Sequence, residues 1–168
     1  PIVYQKHMTH HLLPSMPRGW TGALRNAFLI RDPAKVLASY DQKRAAPNLG
    51  DIGIEQQAEL FDRACNDLGH APPVVDADAL QRTPEPMLRL LCEALQVPFS
   101  ECMLSWPAGP RESDGIWANH WYDSVWRSTG FAPPSGHEPV LSRSLQALAD
   151  RARPLYDKLA QHQLAPAC

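Results

Sequence analysis

Short apolar segments alternate along this chain with longer segments in which apolar residues recur at helical spacing. Residues 27–30 are continuously apolar, which is typical of a central parallel strand covered on both faces. Val74-Val75 predicts a second short strand, and the β-prone start Ile2–Gln5 predicts a buried strand that ends in a polar loop. Strands that alternate with helices indicate an α/β fold with a mainly parallel sheet.

The helices are predicted from periodicity and from their start and stop signals. One helix begins at Asp32-Pro33, because Asp is a favoured N-cap and Pro a favoured first helical residue. Apolar residues at helical spacing predict a second helix from Ile54 to Leu68, and Thr83-Pro84 opens a third. The amphipathic stretch from Leu141 to Leu159 predicts a last helix, which Pro154 is expected to break or kink.

The periodicity is lost between Trp106 and Trp126, where four of the chain's five tryptophans lie. A loop-rich aromatic segment of this kind more often covers a site than forms a core element. One interpretation is an aromatic or hydrophobic pocket for a small molecule, and the alternative is a self-packed Ω-like loop anchored by tryptophans.

Composition narrows the class of protein. The 168 residues, of which 44% are apolar, are enough for a single domain with its own core, spanning residues 1–168. The formal net charge of −2, with basic residues dispersed among acids, argues against nucleic acid as a partner. No apolar run is long enough to predict a membrane span or a secretory signal. The four cysteines form no Cys-x-x-Cys pair, which predicts reduced thiols, a cytoplasmic location and no metal.

Arg31 and Ser39 form the first candidate binding pair. Arg31 ends a predicted strand, and Ser39 lies in the helix that follows, where the helix N-terminus adds oriented amides and partial positive charge. A forked guanidinium and a hydroxyl suit phosphate oxygens. The alternative is that Arg31 pairs with Asp32 or another acid, and that Ser39 is a small packing residue.

Two further groups are candidates. Arg111 and Trp117 both lie in the segment from residue 106 to residue 126, which we call the aromatic loop. An arginine in this loop could clamp a phosphate while a tryptophan stacks on a base. The alternative is an ordinary surface loop. His7, His10 and His11 follow Lys6 at the end of the first predicted strand, and a histidine there could act as a general base or be structural.

These constellations, in this order, resemble the sulfotransferase family, whose members move a sulfuryl group from 3′-phosphoadenosine 5′-phosphosulfate to an acceptor hydroxyl or amine. The family's Lys-Thr-His-Leu-Pro-like stretch, which carries the catalytic histidine, resembles residues 6–14. Its strand closing in Arg-Asn/Asp-Pro, with a serine in the next helix, is similar to residues 28–40. Its strand-Tyr-Glu-Asp-Leu resembles residues 74–80, and its Arg-Lys-Gly stretch leading to Gly-Asp-Trp-Lys-Asn-His resembles residues 111–120.

The resemblance implies a P-loop-NTPase-like parallel-sheet fold and a reaction without a metal. Arg31, Ser39 and Arg111 then bind the 3′-phosphate of the co-substrate, and Trp117 is in register with the family's tryptophan. The base is His11 if the motif is read through Leu-Leu-Pro and His7 if it is counted from the strand, with Lys6 beside it.

The chain also departs from the family pattern. Glu112 and Ser113 stand where the family has lysine and glycine. The family's first strand and its phosphosulfate-binding loop do not occur in these residues. We therefore expect this chain to be the downstream portion of the sulfotransferase-like domain and to be inactive as a fragment.

Three functions follow as hypotheses. The first is sulfuryl transfer to a small-molecule acceptor. The second is a non-catalytic module that binds the 3′-phosphoadenosine nucleotide. The third, a nucleoside or sugar kinase, requires a Gly-Lys-Ser/Thr phosphate loop, which the stretch from Pro14 to Gly22 does not contain.

Overall fold

A small parallel sheet lies at the centre of the α/β fold. The computed structural model describes residues 2–13, 15–42, 46–116 and 118–166. Strand β1 (Phe28–Ile30) pairs in parallel with β2 (Val74–Asp76), so that Phe28 lies opposite Val74 and Ile30 opposite Asp76. On the far side of β2, the Leu164 amide donates to the Val74 carbonyl at 2.8 Å. The carboxyl ends of β1 and β2 therefore meet at one edge of the sheet.

Most of the regular structure outside this sheet is helical. The helices are α1 (Pro33–Asp41), α2 (Leu49–Ile52), α3 (Ile54–Leu68), α4 (Ala77–Arg82), α5 (Pro84–Ala94), α6 (Ala118–Trp121), α7 (Asp123–Arg127) and α8 (Arg143–Ala160), with 3₁₀ turns at Thr9–His11, Gly19–Ala23 and Glu101–Met103. The predicted helix starts are confirmed. The Asp32 side chain accepts from the Ala34 amide and caps α1, and Pro84 is the first residue of α5.

Gly53 and Gly69 both adopt the left-handed conformation at helix ends. Gly69, with φ of 73°, ends α3 where the sequence predicts the stop. Gly53, with φ of 65°, separates α2 from α3. A Cβ at Gly53 would lie 2.6 Å from Thr9 Oγ1, and that hydroxyl donates to the Gly53 carbonyl at 2.8 Å. Glycine at this position therefore lets the Thr9–His11 turn pack closely on the helices.

Helix α8 joins the two halves of the core. It contacts α1, α3 and both strands. Its Leu159 is fully buried with Phe61, Ile30 and Val74 against the sheet. Its Leu145 and Ala149 pack with Leu37 of α1.

Two strand predictions need correction. The strand predicted at Ile2–Gln5 is not found, since these residues are irregular and pair with no strand in the described part of the chain. Their apolar side chains are exposed, at 83% for Tyr4. The prediction that the first central strand is covered on both faces is also wrong, because Leu29 of β1 is 57% exposed.

The sequence predicts that Pro154 breaks or kinks the last helix, and the break is not found. Helix α8 runs without interruption from Arg143 to Ala160. Pro154 has no N–H to donate to the Asp150 carbonyl, but both residues are exposed, so water can satisfy that oxygen. Burial of the opposite face of α8 holds the helix together on both sides of the proline.

Candidate functional site

Charged and hydroxyl side chains gather where the carboxyl ends of β1 and β2 meet. Asp76 ends β2 and is buried. One of its carboxylate oxygens accepts from the Ala79 amide at 2.9 Å, and the other accepts from the Tyr156 hydroxyl at 3.0 Å. Burial raises the pKa of Tyr156, and the hydrogen bond to Asp76 raises it further. The phenol therefore stays protonated and ties α8 to the end of β2.

Lys35 and Asp78 form an ion pair beside Asp76. Lys35 Nζ lies 2.5 Å from Asp78 Oδ2, and only 14% and 13% of the two side chains are exposed. The hydrogen bond to Asp78 raises the pKa of Lys35, because it favours the ammonium form. This pair links α1 to α4 at the carboxyl ends of the strands, and no sequence motif marks it.

Asp32 is neutralised by a residue far away in the sequence. Arg153 of α8 lies 2.8 Å from the Asp32 carboxylate. Burial alone would raise the pKa of Asp32, but hydrogen bonds from Arg153 and from the Ala34 amide outweigh it and lower the pKa. The predicted alternative, an Arg31–Asp32 pair, is therefore replaced by an Asp32–Arg153 pair.

Arg31 lies immediately after β1 and is exposed. Its guanidinium has no ion pair within the part of the chain that the structure describes. One of the oriented amides expected at the start of α1 is already used, since the Asp32 carboxylate accepts from the Ala34 amide at 2.8 Å. Arg31 is an exposed cation at this helix start and is available to an anion.

Ser39 lines a polar cleft farther along α1. The cleft has a volume of about 330 Å³ and is lined by Ser39, Gln42, Trp121, Asp123, Ser124 and Arg127. Ser39 is exposed, whereas Leu37 of the same helix is fully buried, so the hydroxyl lies on the outward side of α1. The Tyr40 and Trp121 rings lie 5.8 Å apart between centroids and join α1 to the aromatic loop. The interpretation of Ser39 as a helix-packing residue does not hold.

The aromatic loop is a self-packed unit, in agreement with the Ω-like interpretation. A bridge between Ser105 and Gly130 closes its base. Inside it, Asp114 Oδ2 accepts from the Arg111 amide at 2.9 Å and from the Trp126 indole nitrogen at 2.8 Å. The hydrogen bond from the Arg111 amide lowers the pKa of Asp114 most, and the bond from Trp126 lowers it further. The carboxylate therefore remains charged at neutral pH.

Replacing Asp114 by alanine is expected to loosen this loop, because both of its hydrogen bonds in the turn are lost. Amide hydrogen exchange at residues 109–116 should become several-fold faster, while exchange in α8 stays unchanged. Glu112→Ala is the matched control, since Glu112 is an exposed acid two residues away. Equal exchange in the Asp114 and Glu112 variants would contradict the role of Asp114.

The remaining predicted residues lie apart from the cleft lining. Arg111 is exposed and is not among the residues that line the cleft. Trp117 lies outside the described residues. Lys6 and His7 belong to the irregular N-terminal segment, where the His7 ring lies 5.2 Å from the Trp20 ring. His11 is exposed in the Thr9–His11 turn, with its ring 4.3 Å from that of His10.

Besides the Lys35–Asp78 pair, three further contributors to these sites were not predicted from the sequence: Arg153, Tyr156 and Arg127. Arg153 and Tyr156 are spaced along an amphipathic helix, and nothing in that pattern distinguishes them from solvated residues. Arg127 is one of many dispersed basic residues. Its place in the cleft depends on how the loop folds back on α1.

The described residues contain neither a metal-binding cluster nor a membrane-spanning helix. No group of three or more histidine, cysteine, aspartate or glutamate side chains there is arranged to hold a metal ion. None of the helices in the described ranges is long and apolar enough to cross a membrane.

The α/β fold, the Arg-Asp-Pro strand end and the serine-bearing helix together define a known class of domain. The chain belongs to the sulfotransferase domain family, whose match extends over residues 2–162. The recognition made from the sequence motifs is thereby confirmed.

Two relatives from Arabidopsis thaliana match nearly the whole chain. It is 38% identical to branched-chain-amino-acid aminotransferase-like protein 1, over 95% of the chain, and 33% identical to the aminotransferase-like protein 2, over 94%. In each case the match covers 28% of the relative, so the chain spans less than a third of the length of these proteins. No solved structure gives a significant match.

Proposed function

We propose that this domain binds 3′-phosphoadenosine 5′-phosphosulfate and transfers its sulfuryl group to a hydroxyl or amine of a small-molecule acceptor. The observation that carries the proposal is the sulfotransferase domain match over residues 2–162, in a fold where Arg31 and Ser39 are exposed and available. In this proposal Arg31 and Ser39 bind the 3′-phosphate together with an arginine in or beside the aromatic loop, a role that the family resemblance gives to Arg111. A histidine of the segment from Lys6 to His11 serves as the base, at His7 or His11.

The proposed transfer is an in-line displacement at sulfur. The acceptor oxygen or nitrogen forms the new bond to sulfur while the bond from sulfur to the 5′-phosphate oxygen breaks. The histidine takes the acceptor proton, and the nucleotide leaves as 3′,5′-phosphoadenosine. As in phosphoryl transfer, the protein contributes mainly positioning and electrostatic stabilisation. Arg31 supports this role because its charge is not neutralised by the acid next to it.

A second candidate function is nucleotide binding without transfer. Glu112 favours it, because an exposed acid stands where the family resemblance expects a lysine. A carboxylate repels the phosphate that a lysine would attract, so part of the clamp is absent in this loop. This candidate keeps the roles of Arg31 and Ser39 and removes only the chemical step.

Calorimetric titration of the full-length protein with 3′,5′-phosphoadenosine tests both candidates. We expect saturable binding with one site per domain, and absence of binding would refute both. A sulfuryl-transfer assay with a panel of hydroxyl and amine acceptors then separates the enzyme from the binding module. If transfer occurs, the His7→Ala and His11→Ala variants identify the base, and full turnover of the double variant would refute a histidine base.

A further inference from the structure

Arg127 lines the cleft that also contains Ser39, one of the site residues that the sequence motifs predict. It is the last residue of α7, and it lines the same 330 Å³ cleft as Ser39. Its side chain has no ion pair and no hydrogen bond within the ranges that the structure describes. An arginine that is exposed, unpaired and positioned at a polar cleft is available to an anionic ligand.

The other lining residues fit a ligand that is both anionic and aromatic. Ser39 and Ser124 supply hydroxyls and Gln42 an amide, all of which can donate to phosphate oxygens. Trp121 adds an aromatic side chain to the lining, and its ring lies near that of Tyr40. Asp123 is the acidic residue of this lining, and it already has an interaction partner of its own.

Arg111, by contrast, has no place in this lining. Its backbone amide donates to Asp114, and that bond fixes the turn of the loop rather than the orientation of the guanidinium. The Arg111 side chain is exposed. The family motif therefore marks Arg111, whereas the arginine that lines the cleft is Arg127.

We propose that Arg127, at the end of the aromatic loop, is the cation that binds the 3′-phosphate in the Ser39 cleft. This inference rests on the proposed function, because it takes the ligand of that cleft to be the 3′-phosphoadenosine nucleotide. Arg127 and Ser39 contact the 3′-phosphate from two separate elements, α7 and α1. Binding of the nucleotide therefore holds the loop against α1.

The test compares two nucleotides on the full-length protein. One is 3′,5′-phosphoadenosine, and the other is adenosine 5′-monophosphate, which lacks the 3′-phosphate. Arg127→Gln should weaken binding of the first by about tenfold and leave binding of the second within twofold, because a charge-assisted hydrogen bond is lost only where the 3′-phosphate is present. Arg127→Lys, which retains the charge, should recover part of the affinity.

Arg151→Gln is the matched control, since Arg151 is an exposed arginine of α8 with no part in the cleft. It should bind both nucleotides as the unmodified protein does. Equal affinity of the Arg127→Gln variant and the unmodified protein for 3′,5′-phosphoadenosine would overturn the inference and leave the proposed function standing. An equal loss for both nucleotides would also overturn it. If the unmodified protein binds neither nucleotide, the proposed function fails, and the inference fails with it.

Discussion

Replacement of Arg31 by glutamine is expected to weaken binding of 3′,5′-phosphoadenosine by about ten- to a hundredfold, because a hydrogen bond to a charged group contributes about 1.5–3 kcal/mol. Arg31 is exposed at the carboxyl end of β1, where ligands of open α/β sheets bind. Its neighbour Asp32 is paired with Arg153, at 2.8 Å, and so does not neutralise it. Calorimetric titration of the full-length protein measures the loss.

Two further variants test whether the loss of affinity depends on the shape of the Arg31 side chain and on its position. Arg31→Lys keeps the charge and loses the forked donor, so its affinity should lie between that of the unmodified protein and that of Arg31→Gln. Arg151→Gln removes an exposed arginine elsewhere and should have no effect. An affinity of Arg31→Gln within twofold of the unmodified protein would exclude Arg31 from the nucleotide site.

Replacement of Asp78 by alanine is expected to lower the free energy of unfolding by about 3 kcal/mol, because it leaves a largely buried ammonium without its partner. Only 14% of the Lys35 side chain is exposed. The nearest remaining acid is Glu138, whose carboxylate lies 4.0 Å from Lys35 Nζ and whose side chain is 82% exposed. Denaturant unfolding at neutral pH measures the change.

The chain contains a matched exposed pair for comparison. Lys158 and Asp62 also lie 2.5 Å apart, but their side chains are 45% and 52% exposed. Asp62→Ala should therefore cost less than about 1 kcal/mol. A double variant, Lys35→Met with Asp78→Leu, should recover most of the stability, since apolar replacements of a buried pair are often neutral. If Asp78→Ala lowers the free energy of unfolding no more than Asp62→Ala does, the Lys35–Asp78 pair stabilises the fold no more than an exposed pair.

The parts of the site that can be predicted from the sequence are those encoded by residues adjacent in the chain. Asp32 and Pro33 start α1 by capping geometry that involves only adjacent residues, so the position of Ser39 in a helix follows directly. Gly69 ends α3 for a similar reason. The order of these signals along the chain was also enough to recognise the sulfotransferase family, which the match over residues 2–162 confirms.

Each prediction that failed depends on a spatial neighbour that is distant in sequence, and local patterns do not describe such neighbours. Ile2–Gln5 has the composition of a strand, but a strand needs a partner, and the described residues provide none. Leu29 belongs to an apolar run and is nevertheless 57% exposed, because the cover on a strand face depends on elements elsewhere in the chain. Pro154 breaks isolated helices, yet α8 continues because its opposite face is anchored in the core.

The sequence by itself determined the family, the helix that carries Ser39 and the strand that presents Arg31, since caps, periodicity and motif order are written in neighbouring residues. The tertiary structure alone decided which charges are neutralised and which remain available. Lys35 meets Asp78 and Tyr156 meets Asp76 only after folding, across 43 and 80 residues of chain. Arg127 reaches the Ser39 cleft only because the aromatic loop packs against α1. Contacts over such separations depend on how whole elements pack, and no local pattern of residues encodes that packing.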